Sequence, residues 1–211
     1  MKKIFILLIS ISCFTSTYSQ KKDITLEEIW KENQFYPKSV RGFNSMNDGE
    51  HYSTMERVED GQEIIKYKFK SGKKVRTLFK SADFEIPKVG RYTFSEDEKQ
   101  LLLATETEKI YRHSSKSVFY IYNIFTDKIK KLTDDKVMYA TFSPQGDKVA
   151  YVMDNNLFIQ NIKSGKVTQV TTDGNKNHII NGASDWVYEE EFALVRSFEW
   201  APDGEHIAYY K

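Results

Sequence analysis

The stretch DWVYEEEF at residues 185–192 carries the side chains of this chain that best suggest chemistry. Three consecutive carboxylates, Glu189, Glu190 and Glu191, directly follow an apolar and aromatic run. Carboxylates this close repel one another, and a bound cation would relieve the repulsion. The simpler interpretation is a solvated face of a short surface helix, as most glutamate runs are. The glutamate run therefore either binds a cation or forms a solvated helix face.

The residues around the run predict how it is positioned. Glu, Ala and Leu favour helix, which predicts a short helix from Tyr188 to Val195. Asp185 lies just before it as an N-cap, and an acidic first turn suits the helix dipole. Trp186, Tyr188 and Phe192 flank the carboxylates with large apolar groups, which we expect to draw the run toward partial burial.

The rest of the chain is built from a repeat. Four similar stretches each contain a polar turn followed by an alternating apolar strand: SMNDGEHY (45–52), TFSEDEKQLLLA (93–104), TFSPQGDKVAYV (141–152) and EWAPDGEHIAYY (199–210). Their turn positions are Gly49, Glu98, Gly146 and Gly204, separated by 49, 48 and 58 residues. Such a fixed period indicates a repeat architecture.

Three hairpin-like stretches alternate with these repeats. In each, a dipeptide separates two alternating strands: Ser71-Gly72, Thr126-Asp127 and Ser164-Gly165. Four antiparallel strands in each repeat predict an all-β fold, a β-propeller of four-stranded blades. Neighbouring blades would bury the two apolar faces of each blade. A β-sandwich with chance internal similarity is the alternative architecture.

The glutamate run lies outside the repeat. The last spacing is 10 residues longer than the one before it, and the surplus falls in the interval that contains the run. We therefore expect a short helical insertion in a blade, and loops of that kind tend to carry function. The chain holds about three blades and the start of a fourth. Residues 20–211 are thus expected to be the N-terminal part of a longer propeller, because an open ring leaves a bare strand edge.

The N-terminus predicts export. Residues 1–19 combine Lys2 and Lys3 with a short apolar run and small residues before Gln20, which is the pattern of a signal peptide. Cleavage would remove Cys13, the only cysteine, and leave 29 basic and 30 acidic residues. The final location would be the periplasm, the outer surface or the medium. Lipid anchoring at Cys13 is the less favoured alternative, because the preceding residues fit a lipoprotein motif poorly.

Composition excludes several classes of partner. The balance of 31 basic and 30 acidic side chains gives no reason to expect nucleic acid or an anionic membrane surface. The apolar N-terminal run is too short to span a bilayer, and no later segment is apolar enough. No metal-ligand spacing is visible, so neither a metal nor another cofactor is expected.

The motif DWVYEEEF resembles the double-glutamate motif of the dipeptidyl peptidase IV family, serine exopeptidases of the prolyl oligopeptidase clan. The stretch YRHSSKSVFYIYN (111–123) resembles the family's Arg-His-Ser segment, and ITLEEIW (24–30) resembles the start of bacterial members. The resemblance covers essentially all of residues 20–211. It implies an eight-bladed propeller with the glutamate motif on a short helical insertion.

The resemblance also implies a role for three residues. Glu190 and Glu191 would hold the free N-terminal ammonium of a peptide substrate, and Arg112 would contact its carbonyl groups. Asp185, Trp186, Tyr188 and Glu189 complete the motif and would support these residues. Without the resemblance, Arg112 would be taken for an ordinary surface arginine at the start of a strand.

The reaction itself would require parts that this sequence lacks. The family's nucleophilic serine lies in a G-x-S-x-G turn on a C-terminal α/β-hydrolase domain, and no such motif occurs here. None of the four histidines lies in a nucleophile pattern, so we expect no catalytic residue among them: His51, His113, His178 and His206. The resemblance implies that the full-length protein releases N-terminal dipeptides whose second residue is Pro or Ala. It also implies that the full-length protein can form a homodimer. The chain alone is expected to be inactive.

A second function remains open from the sequence. The FSPxG and WAPDG segments also resemble those of TolB-type propellers, which bind partners without catalysis. A plain binding propeller would have no reason to carry DWVYEEE or the Arg-His-Ser segment. The insertion therefore distinguishes the two interpretations.

Overall fold

The computed structural model describes residues 22–37 and 42–211, and the predicted signal peptide with Cys13 lies outside them. The chain divides into two compact units, Met1–Val40 and Arg41–Lys211. The described part of the first unit holds one helix, α1 (Leu26–Trp30). A capping box begins this helix, because Thr25 Oγ1 accepts from the Glu28 amide and Glu28 Oε2 accepts from the Thr25 amide. In the described residues no helix has the length and apolar character needed to cross a membrane.

The second unit is a series of antiparallel strands. The first blade comprises β1 (Asn44–Ser45), β2 (His51–Val58), β3 (Gly61–Lys68) and β4 (Lys74–Lys80), paired in chain order and followed by a 3₁₀ turn at Ser81–Asp83. The second comprises β5 (Val89–Phe94), β6 (Gln100–Lys109), β7 (Ser115–Asn123) and β8 (Lys128–Lys131). The third comprises β9 (Val137–Phe142), β10 (Lys148–Met153), β11 (Asn156–Asn161) and β12 (Val167–Gln169). Helix α2 (Trp186–Phe192) then precedes β13 (Phe198–Trp200) and β14 (Ile207–Tyr209).

This arrangement confirms the predicted partial β-propeller. Each of the three complete blades has four antiparallel strands in chain order, and β13 pairs with β14 as the start of a fourth. A short pairing of β7 with β9 also joins the second and third blades into one eight-stranded sheet. The helical insertion lies between β12 and β13, where the longer spacing of the repeat placed it.

The repeat turns share one backbone geometry. The four predicted turn positions, Gly49, Glu98, Gly146 and Gly204, all have φ between 55° and 70°, and each amide donates to the carbonyl three residues earlier at 2.9–3.1 Å. This left-handed conformation favours glycine, although the glutamate adopts it too. Successive turns are also bonded to one another: the Asn47 amide donates to Glu98 Oε1 at 2.6 Å, and Gln100 Nε2 donates to the Gly146 carbonyl at 2.7 Å.

Three hydrophobic clusters fill the spaces between blades. The first joins Ile64 and Phe79 of the first blade to Leu101 and Leu103 of the second. The second cluster contains Leu102 with residues of the third blade, and the third cluster joins the third blade to β13. Leu102 points to the opposite face from its two neighbours because side chains alternate along a strand. The second and third blades are thus packed on both faces.

Candidate functional site

Helix α2 has seven residues, and its sequence explains both ends. The Asp185 side chain accepts a hydrogen bond from the Tyr188 amide at 2.9 Å, which confirms the predicted N-cap. The helix begins at Trp186 and ends at Phe192, so the predicted range from Tyr188 to Val195 was wrong at both ends. It stops because Ala193 adopts a left-handed conformation with φ 53°, which closes the last turn.

Glu189 is the buried member of the glutamate run. Its side chain is 1% exposed, and its Oε1 accepts hydrogen bonds from the amides of His113 at 2.6 Å and Ser114 at 3.1 Å. These amides belong to the loop between β6 and β7, which precedes Glu189 by about 75 residues in the chain. One carboxylate therefore fastens the insertion helix to a loop of the second blade.

The same loop carries Arg112. Its Nε lies 3.3 Å from Glu190 Oε2, so the structure brings these two predicted residues together as an ion pair. The side chain of Arg112 is 72% exposed and that of Glu190 is 16% exposed. Glu191, the third predicted binding residue, is exposed on the same helix. One carboxylate of the helix thus pairs with the guanidinium, and the next carboxylate along the helix is exposed to solvent.

The aromatic residues of the motif do not bury the run. Trp186, Tyr188 and Phe192 are between 53% and 69% exposed, although the sequence suggested that they would draw the carboxylates inward. Tyr188 and Phe192 contact each other one turn apart, with ring centroids separated by 5.5 Å. The burial of Glu189 comes instead from its position over the Arg112 loop, because that is where its hydrogen-bond donors lie.

The environment of Glu189 keeps it ionised. Burial raises the pKa of this carboxyl, but the hydrogen bonds from Ser114 and the His113 amide together lower it by more. The pKa therefore lies below the usual 4.5. Donors aimed at a carboxylate favour its charged form in this way. At neutral pH the helix therefore presents a negative charge to the loop that carries Arg112.

The arrangement suits a ligand with a positive end beside carbonyl groups. Two adjacent carboxylates can accept hydrogen bonds from an ammonium, and a guanidinium can donate to carbonyl oxygens. Within the described residues no group of three or more His, Cys, Asp or Glu side chains could hold a metal. His51 and His206 bond to aspartates of the repeat turns, and His113 contributes its amide to Glu189.

Two parts of this site were invisible to the sequence analysis. The donors to Glu189 are backbone amides, which no residue pattern marks, although they fall within the quoted Arg-His-Ser segment. Tyr139 of β9 is the other part, since its hydroxyl group is under the influence of the Glu189 charge. A tyrosine inside an alternating strand gives no such signal.

Fold and site together define a β-propeller with a carboxylate-bearing insertion. Residues 95–211, more than half of the chain, match the family model described as the dipeptidyl peptidase IV N-terminal region. The chain therefore belongs to this family, which confirms the resemblance.

Individual relatives agree with this assignment. The chain is similar to dipeptidyl peptidase 4 of Porphyromonas gingivalis, whose crystal structure matches with 41% identity and a TM-score of 0.75 over 87% of this chain and 26% of that one. A probable dipeptidyl-aminopeptidase B of Podospora anserina is 37% identical over 64% of this chain and 16% of that protein. The inactive dipeptidyl peptidase 10 of Mus musculus is 34% identical over 63% of this chain and 17% of that protein. The chain thus spans less than a fifth of these two curated relatives.

Proposed function

We propose that this chain is the substrate-anchoring part of a serine exopeptidase that releases N-terminal dipeptides, with Pro or Ala as the second residue. Glu190 and Glu191 bind the free ammonium of the peptide, and Arg112 binds its carbonyl groups. The observation that carries this proposal is the 3.3 Å ion pair between Arg112 and Glu190, because it unites the two family motifs at one surface. The catalytic serine, aspartate and histidine belong to an α/β-hydrolase domain of the full-length protein.

The electrostatics favour an ammonium as the ligand. A peptide α-amine has a pKa of about 8, so it is mostly charged at neutral pH. Adjacent residues of a helix point about 100° apart, but glutamate side chains are long enough to converge on one small cation. The ammonium relieves repulsion between the carboxylates and donates charge-assisted hydrogen bonds to both.

Anchoring the chain end determines where the peptide is cut. A fixed ammonium places the second residue of the peptide at a constant distance from the helix, so the scissile bond falls after two residues. Binding energy gained at the remote ammonium then orients the reacting carbonyl. Peptides with a blocked amine lack the cation and should be poor substrates.

The decisive experiment replaces both binding glutamates in the complete protein. Each charge-assisted bond contributes about 1.5–3 kcal/mol, so Glu190→Gln with Glu191→Gln should lower kcat/KM for a Gly-Pro chromogenic substrate by about 10²–10⁴-fold. The matched control is Glu59→Gln with Glu85→Gln, which removes two exposed carboxylates outside the insertion. The control should cleave the substrate at the wild-type rate.

An N-acetylated peptide provides the second control. Its slow cleavage should be nearly the same in wild type and in the glutamine variant, because neither has an ammonium to bind. Undiminished cleavage of free-amine peptides by the variant would refute the anchoring role.

A non-enzymatic binding propeller is the alternative function. The mouse relative, which is named inactive, matches this chain nearly as well as the others do, so similarity alone does not decide about catalysis. The exposed Glu191 and the Arg112–Glu190 pair favour the enzyme, because a plain binding propeller has no need of a site for a peptide terminus. Hydrolysis of the chromogenic substrate by the complete protein supports the enzyme. Binding of a free-amine peptide without hydrolysis supports the alternative.

We further propose that the protein is exported and acts in the periplasm, on the outer surface or in the medium, and that it forms a homodimer. The signal-peptide pattern of residues 1–19 supports the first point. N-terminal sequencing of the mature protein should find Gln20 first. Light scattering of the complete protein tests the second point.

A further inference from the structure

A strained tyrosine lies beside the buried glutamate. Tyr139 has φ 56°, although it lies within strand β9, and its backbone forms a bulge where Tyr139 and Ala140 oppose the single residue Tyr151. A bulky side chain in this left-handed region is an outlier. Bulges beside functional sites commonly re-aim a side chain, and the relevant atom here is the tyrosine hydroxyl.

The hydroxyl of Tyr139 and one oxygen of Glu189 are both orphaned. Tyr139 Oη and Glu189 Oε2 are buried, and neither has a partner with hydrogen-bond geometry. The pairing of β7 with β9 sets Met138 opposite Lys116, so the next residue, Tyr139, lies at the start of β7, next to Ser114. The Ser114 amide itself donates to Glu189 Oε1, so Ser114 lies between the two groups. Buried polar atoms are rarely left unsatisfied, and orphaned ones often mark a functional constraint.

The protonation states of the two groups are complementary. Burial, followed by the negative charge of Glu189, raises the pKa of Tyr139 to about 12, so its hydroxyl remains protonated and able to donate. The pKa of Glu189 is lowered, so its carboxylate remains able to accept. A buried donor and a buried acceptor are therefore both without a partner.

We propose that Tyr139 is a positioning residue of the peptide-anchoring site: its hydroxyl donates to the hydroxyl of Ser114, which in turn donates to Glu189 Oε2. Glu189 Oε1 is already used by the amides of the Arg112 loop. A donor on Oε2 fixes the orientation of the whole carboxylate, and with it the distance between the helix and that loop. The proposal rests on the proposed function, because it concerns the placement of Glu190 and Arg112.

The strained backbone explains why the third blade takes part in this site. The bulge interrupts the pairing of β9 with β10 at Tyr139, and the Tyr139 carbonyl accepts from Thr141 Oγ1 at 2.7 Å, which stabilises the local conformation. The glutamate then connects three parts of the fold: the insertion helix, the β6–β7 loop and the bulged strand. Rigid elements of this kind place binding groups more accurately than free loops do.

The test is Tyr139→Phe in the complete protein, which removes one oxygen atom. Hydrogen exchange of the peptide covering residues 110–116 reports on the His113 and Ser114 amides that bond to Glu189. We expect about tenfold faster exchange there, and a KM for the Gly-Pro substrate about tenfold higher with nearly unchanged kcat, since the loss of one hydrogen bond to a charged group has this size. The matched control is Tyr92→Phe, which removes a buried hydroxyl of β5 that bonds to Ser53 of the first blade.

The outcomes separate this proposal from the proposed function. Unchanged exchange at residues 110–116 in Tyr139→Phe would overturn the positioning role, even if the variant with both glutamines loses cleavage. If the glutamine variant keeps full activity, the anchoring function fails, while the exchange result still tests the contact with Glu189. Should Tyr139→Phe fail to fold, Ser114→Ala takes its place, with exchange read at the His113 and Ser114 amides alone because the Ser114 hydroxyl also accepts from the Tyr111 amide. Faster exchange at those two amides supports the proposal, and unchanged exchange overturns it.

Discussion

Replacing Glu189 by glutamine tests how the insertion is held in place. The change keeps the length and shape of the side chain but removes its charge. In the native chain Glu189 Oε1 accepts from two amides, at 2.6 and 3.1 Å, and the side chain is 1% exposed. A glutamine oxygen can still accept from these amides, so the variant isolates the contribution of the charge.

The size of the effect follows from the two bonds. A hydrogen bond to a charged group contributes about 1.5–3 kcal/mol, against about 1 kcal/mol for a neutral bond. Two such differences add up to about 1–4 kcal/mol in the free energy of unfolding. For a chain of this size the Tm falls by about 2–4 °C for each kcal/mol, so a loss near the middle of that range lowers Tm by about 5–10 °C.

The assay is urea unfolding of wild type, Glu189→Gln and Glu191→Gln across a range of pH. Glu191 is exposed on the same helix, so its variant removes an equal charge and should change stability by less than about 0.5 kcal/mol. The pKa of Glu189 is lower in the folded chain than its usual 4.5, because the donors outweigh its burial. Its stabilising effect is therefore complete above pH 4.5 and is lost as the pH falls through the lower folded value.

Two results would refute this reasoning. The first is a Glu189→Gln variant as stable at pH 7 as Glu191→Gln, which would mean that the two amides need no carboxylate. The second is a stability difference between wild type and Glu189→Gln that stays constant down to low pH, because protonation should make the two side chains nearly equivalent.

Two further predictions concern the packing of the blades. Gln62 exchanges two 2.8 Å hydrogen bonds with the backbone of the buried Val89, so Gln62→Leu should cost roughly 2–4 kcal/mol in urea unfolding, whereas the exposed Gln34→Leu should cost little. Gly182 has φ 75° and a methyl group there would lie 3.2 Å from a buried valine, so Gly182→Ala should cost roughly 2–5 kcal/mol. Gly72 also has a positive φ, but no atom lies within contact distance of the methyl group that Gly72→Ala would add. This control should therefore cost only about 1–2 kcal/mol. Equal losses for the two alanine variants in thermal unfolding would contradict the packing argument.

The propeller was predictable because its signals are local. A polar turn followed by an alternating strand recurs at a nearly constant spacing, and each of the four predicted turn positions of this repeat has a positive φ, including the non-glycine Glu98. The position of Glu98 within the repeat thus predicted a turn there, although glutamate is not a typical turn residue. The insertion was recognisable for the same reason, since extra residues stand out against a regular period.

The assembly of the site was less predictable because it depends on distant segments. Arg112 and Glu190 are 78 positions apart, and only the blade geometry brings them within 3.3 Å. The end of helix α2 was misplaced because Ala193 and Leu194 favour helix, whereas Ala193 adopts a left-handed conformation that stops it. Propensity is a weak guide when tertiary contacts decide the end of a helix. The orphaned hydroxyl of Tyr139 depends on a bulge that alternation cannot reveal.

The three consecutive glutamates answer different physical demands. A helix of seven residues is marginal in isolation, so contacts outside the helix must hold it. Glu189 makes buried bonds that can supply this stability, whereas the pair between Glu190 and the 72% exposed Arg112 is of the kind that contributes about 0–1 kcal/mol. Under the proposed function a weak ion pair is an advantage, because an arriving ammonium can replace the guanidinium at little cost and release it toward the peptide carbonyls. Stability and the proposed binding then fall to neighbouring side chains of the same helical turn.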